Sequence, residues 1–82
     1  MTQTTLTDLL AILSTHADIP WQASEAMRNY FNRDEAVVND AIETLGQLGF
    51  LNIGKPIFSS GGSYPQYRFR INKFLVLQAC VA

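Results

Sequence analysis

Leu6, Leu9, Leu10 and Leu13 fall at i, i+3, i+4 and i+7, the spacing that puts four side chains on one helical face. Thr5-Leu6-Thr7-Asp8 offers a hydroxyl and a carboxylate to the free N–H groups of a helix start, so a first helix is expected over about residues 5–16. Asp18-Ile19-Pro20 reads as a break and a restart, because proline suits a first helical turn. A second helix follows to about Phe31, with Ala23, Met27, Tyr30 and Phe31 as its buried stripe and Trp21 expected as a core or staple residue. Asn32 tolerates the left-handed conformation of a tight turn, and Asn32-Arg33-Asp34-Glu35 resembles a capping box. The third helix is expected over about residues 34–48, with Val38, Ala41, Ile42, Leu45 and Leu48 on its apolar side and Gly49 ending it.

After Gly49 the period changes. Phe50-Leu51-Asn52-Ile53 is apolar and β-prone, and Ile57-Phe58 continues beyond Gly54-Lys55-Pro56, where the proline marks an edge or a kink. Tyr67-Arg68-Phe69-Arg70-Ile71 alternates strictly, with aromatics and isoleucine on one face and arginines on the other. The two segments make a β-hairpin over about residues 50–71, with Ser59 to Ser63 as a flexible tip. The tail from Phe74 to Val81 is apolar and fits either a strand or a short helix.

The expected class is therefore α+β and mostly helical: three helices, a hairpin and a short apolar C-terminal segment in one domain. Within it, Ala41-Ile42-Glu43-Thr44-Leu45-Gly46-Gln47-Leu48-Gly49-Phe50-Leu51 resembles the end of the recognition helix and the entry to the wing in winged helix-turn-helix proteins. There a leucine is followed four residues later by glycine and then by two apolar residues. The resemblance spans roughly residues 5–72 and implies a DNA-binding fold, but no particular family within it. With Val38 at the buried valine of that pattern, Arg28 stands where a small residue is usual and Asn32 stands at the glycine. Either the second helix is shifted in register or the two helices cross in an unusual way.

Eighty-two residues suffice for one domain with a modest core. A hydrophobic content of 48% against 16% charged residues predicts folding rather than disorder. The net charge of −1 advertises no polyanionic partner, yet it hides a strong asymmetry. Up to Gly49 the chain has seven acids against Arg28 and Arg33, a net of −5; beyond it Lys55, Arg68, Arg70 and Lys73 stand with no acid, a net of +4. The outward positions of the third helix are read as Asp34, Glu35, Val37, Asn39, Asp40, Glu43 and Thr44. That helix contains no lysine or arginine, so it makes a poor surface for a groove lined with phosphates. The hairpin has the opposite character. If Arg33, Lys55, Arg68, Arg70 and Lys73 all touched phosphates, log affinity would fall with log salt at a slope of roughly −3 to −5.

Two readings follow. In the first, the chain is a small double-stranded DNA-binding regulator, with Lys55, Arg68, Arg70 and Lys73 on the backbone and Arg33, Asn39 and Thr44 at the groove. In the second, it is a protein-interaction module of the inhibitor or adaptor type that uses Asp34, Glu35, Val37, Asp40 and Glu43 against a protein partner. In the tail, Phe74, Leu75, Leu77 and Val81 either pair two copies as a C2 homodimer or fold back over the first helix. No enzyme is expected. Ser14, His16 and Asp18 are merely close in sequence, and a triad is a matter of three-dimensional geometry. One histidine and one cysteine make no structural zinc site, and Gly61-Gly62 lacks the lysine and helix of a phosphate loop, so neither metal nor cofactor is expected. The lone Cys80, the lack of a signal-like N-terminus and the short apolar runs suggest a cytoplasmic protein with no membrane span.

Overall fold

The computed structural model describes residues 1–58 and 65–81, with only the backbone of Val81, so the expected tip at Ser59–Ser63 and the Val81 contact lie outside the described residues. In chain order the elements are α1 (Gln3–Thr15), α2 (Pro20–Tyr30), α3 (Glu35–Gln47), β1 (Leu51–Ile53), β2 (Phe69–Ile71) and α4 (Lys73–Val81). This is an α+β chain of four helices and a two-stranded antiparallel sheet. Among the described residues no helix is long and apolar enough to cross a membrane.

The helix ends explain the element boundaries. Helix α1 begins two residues earlier than the leucine pattern implies. Thr2, not Thr5, caps it, accepting from the Thr5 amide at 3.1 Å. The intervening turn is exposed and polar, so no apolar residue marks it. Pro20 opens α2 without a side-chain cap. At the end of α2 the amide of Arg33 donates to Arg28 O at 2.7 Å and that of Asn32 to Asn29 O at 3.2 Å. This is the double closure of a Schellman motif, with Asn32 at φ 55° in the left-handed position and Arg33 following at φ 61°. Asp34 then caps α3, accepting from the Val37 amide at 3.4 Å. Helix α3 ends in the same way as α2: Phe50 N donates to Leu45 O at 3.0 Å and Gly49 N to Gly46 O at 3.1 Å, with Gly49 at φ 89°.

In the sheet Leu51 faces Ile71, Asn52 faces Arg70 and Ile53 faces Phe69. Pairing continues outward more sparsely, through Gly54 N to Arg68 O at 2.8 Å and a reciprocal pair between Ile57 and Gln66. The tail is a helix. Asn72 makes it so: its side chain accepts from the Leu75 amide at 3.3 Å as an N-cap, while its own amide group holds Gly49 O at 3.2 Å.

The core joins Leu9, Leu10 and Leu13 of α1, Ala23 and Met27 of α2, Val38, Ala41, Ile42 and Leu45 of α3, Leu51 of β1 and Val76 of α4. Helix α4 thus folds back over α1, with the Cys80 thiol 3.6 Å from Leu10 O.

Four expected placements change. Trp21 is 68% exposed; it lies two residues, roughly 200° of helix, from the buried Ala23 and so points away from the core. Tyr30 sits at the edge of its stripe and donates its hydroxyl to Asp8 at 2.8 Å. Leu48 is the C-cap residue of α3, past the last packed turn, and is exposed. Asn39, expected on the outward face, is buried, because the hairpin lies across that flank of α3.

Candidate nucleic-acid interface

The hairpin is anchored on α3 by three contacts. Asn39 Nδ2 donates to Pro65 O at 3.2 Å. The Tyr67 hydroxyl donates to the Glu43 carboxylate. Gly46 lets Ile53 approach so closely that a Cβ there would come 2.5 Å from Ile53 Cδ1. The Glu43 hydrogen bond, partial desolvation and the nearby charges of Glu43 and Asp40 hold the Tyr67 phenol above its ordinary pKa of 10.0.

With its inner face of Leu51, Ile53, Tyr67, Phe69 and Ile71 turned to the core, the sheet presents Asn52, Arg68 and Arg70 to solvent. Arg68 and Arg70 are i and i+2 on one strand path, so both guanidinium groups leave the same side. Lys55 is exposed on the partner arm. Among the described residues none of these three cations meets a carboxylate.

The remaining cations are committed. Arg28 is the residue that stands where the winged-helix pattern has a small side chain. It lies between α2 and α3, with Nε 3.2 Å from Glu35 Oε1, Nη1 2.9 Å from Ser24 Oγ and Nη1 3.8 Å from Glu25. Its guanidinium therefore fills the space between the helices and is largely buried. Arg33 pairs with Glu25 at 3.1 Å. Lys73 pairs with Asp18 at 2.5 Å and ties the start of α4 to the α1–α2 connection. Of the seven residues expected at DNA, then, Arg68 and Arg70 share the solvent face of the sheet, where Gly54 rather than Lys55 stands opposite Arg68, and Lys55 is exposed on the partner arm. Arg33 and Lys73 lie elsewhere in ion pairs, and Asn39 is structural. Thr44 spends its hydroxyl on Asp40 O at 2.8 Å.

The acidic residues of α3 separate similarly. Asp34 caps the helix and Glu35 holds Arg28, so both serve the fold. Val37, Asp40 and Glu43 rim an open groove of about 590 Å³ between α3 and the start of α1, floored by Phe31 and Ala41. In the tail, Phe74 (75% exposed) and Leu77 (50%) face outward, while Leu75 is half-buried with its Cδ2 near Gly49. His16 is the C-cap residue of α1 and Asp18 is held by Lys73.

A second cleft, of about 620 Å³, lies between α2 and the hairpin and is lined by Trp21, Arg28, Ile57, Arg68 and Phe69 among others. The apolar pattern does not reveal it, because Trp21 reads as a core or staple residue in one dimension.

No protein-family model, curated protein or solved structure matches this chain.

Proposed function

We propose that the chain is a small winged-helix DNA-binding protein of the regulator type, which grips the phosphate backbone with its hairpin, the wing of that fold. The element order supports the fold: three helices followed by an antiparallel pair. One observation carries the function. Lys55, Arg68 and Arg70 are exposed without an acid partner among the described residues, while Arg28, Arg33 and Lys73 are each committed to one. Cations left free of carboxylates neutralise phosphates and release counterions. The acids of α3 and the burial of Asn39 keep that helix from reading base edges, so the backbone dominates and sequence preference is weak. Two copies joined through Phe74 and Leu77 would double these contacts. On this reading the chain needs no cofactor and has no catalytic residue.

Fluorescence anisotropy with a labelled random-sequence duplex at low and moderate salt tests the reading. Wild type binds and loses affinity with salt; Arg68→Ala/Arg70→Ala abolishes most of that binding. Absence of duplex binding at low salt would refute it.

The groove beside α3 favours a second reading, a docking site for a basic protein segment, because exposed Val37 lies there beside Asp40. Asp40→Lys separates the two. It strengthens DNA binding under the first reading and abolishes partner binding under the second. Glu43 is a poorer probe, since its substitution also removes the anchor of Tyr67.

A further inference from the structure

We propose that the cleft between α2 and the hairpin is a stacking site for an unpaired nucleobase, so that the cationic hairpin takes single-stranded nucleic acid in preference to duplex. This rests on the hairpin reading above and names its substrate class.

Trp21 is the only tryptophan in the chain and is 68% exposed, so its indole contributes little to the core and presents its ring to the cleft. Ile57, 41% exposed, and Phe69 supply further apolar lining. The cleft volume of about 620 Å³ falls within the range of small-ligand sites. Arg68 lines the same cleft and has no carboxylate partner among the described residues, which leaves its guanidinium free for a phosphate. Among the described residues Glu25 is the one carboxylate on the lining, and its charge is answered by Arg33 at 3.1 Å and Arg28 at 3.8 Å. An open aromatic ring beside a free cation is the pairing that sequence-tolerant single-strand binders use, because every base has a π-face.

The cleft itself selects against a duplex. A paired base must leave its partner and its stack before it can lie against Trp21, whereas the bases of a single strand are already free to do so.

The sole tryptophan is also the reporter. The full chain is titrated at low salt with a short oligo(dT), the matched duplex and a polyglutamate of equal charge, following Trp21 emission and anisotropy together. Oligo(dT) is expected to quench Trp21 and to bind about tenfold tighter than the duplex; polyglutamate leaves the emission unchanged. Trp21→Ala weakens oligo(dT) binding about tenfold and leaves duplex binding unaltered, while Trp21→Phe, which keeps a ring, retains most of it. Arg68→Ala weakens both. Equal binding of oligo(dT) and duplex with unchanged emission would overturn the stacking site and leave the hairpin reading standing. Binding of neither would remove both. Quenching by polyglutamate equal to that by oligo(dT) would overturn the nucleobase assignment in favour of an acidic peptide.

Discussion

Asn32 and Gly49 close two helices with the same pair of backbone hydrogen bonds, and each pays differently for its left-handed backbone. Glycine has no Cβ to clash at φ 89°, whereas asparagine at φ 55° bears a residual penalty. Gly49→Ala is therefore expected to cost about 1 kcal/mol or more. Its new Cβ would also lie 3.3 Å from Leu75 Cδ2. Asn32→Gly is expected to leave stability unchanged or raise it by less than about 1 kcal/mol. Thermal unfolding checks both, since about 1 kcal/mol shifts Tm by roughly 4–8 °C in a domain of this size; equal losses would show that the Asn32 side chain matters more than its backbone. Both turns were legible in the sequence, because glycine and asparagine announce a backbone requirement. The role of Tyr67 was not, because its partner Glu43 is 24 residues away. Here the prediction concerns pH. The raised pKa of Tyr67, and likewise that of Tyr30 beside Asp8, makes its stabilising contribution fully present below pH 10. It is lost as pH rises through the elevated folded-state value. Glu43→Gln should return the Tyr67 titration toward 10.0, read from the tyrosine ring resonances by NMR; an unmoved titration would show that the hydrogen bond to Glu43 is not what holds the proton.

At the scale of elements, the tail shows what periodicity cannot decide. Phe74-Leu75-Val76-Leu77 is apolar at every position, so neither a period of 2 nor one of 3.6 stands out. The deciding signal was polar: Asn72 in the N-cap position. Only packing then distinguishes the apolar residues, with Val76 fully buried on α1 while Leu77 next to it is 50% exposed. Val76→Ala is expected to destabilise the fold by about 1–3 kcal/mol through lost burial and the cavity left behind. Leu77→Ala should stay within about 0.5 kcal/mol, as surface changes do. Chemical denaturation of the two variants measures the difference, and a larger loss at Leu77 would mean that a second copy covers it. The alternation over Tyr67–Ile71 was legible too. It appears in the burial pattern of all five residues even though the ladder itself spans only Phe69–Ile71. Trp21 misleads for the opposite reason. A large apolar side chain beside an apolar stripe reads as core, and only the rotation of the helix about Ala23 and Met27 turns it out to solvent.

Across the whole molecule, charge segregation was readable from the sequence, but the allocation of charge was not. In the sequence five cations read as available to phosphates; the fold assigns Arg33 to Glu25 and Lys73 to Asp18, partners that folding alone brings within reach. Three remain. Counterion release contributes about 0.9 per phosphate on duplex DNA and about 0.7 on a single strand, so the slope of log affinity against log salt should be near −2.7 or −2.1 rather than −5. Arg68→Ala and Arg70→Ala should each flatten it by about one unit, because each removes one phosphate contact. Lys73→Ala should leave the slope where it was, since its ammonium is held at Asp18. Titrations of the four proteins at several salt concentrations decide between the two allocations. A slope near −5 that falls on losing Lys73 would mean that its ion pair opens to admit phosphate, and that the whole basic half of the chain, rather than the hairpin face alone, meets the nucleic acid.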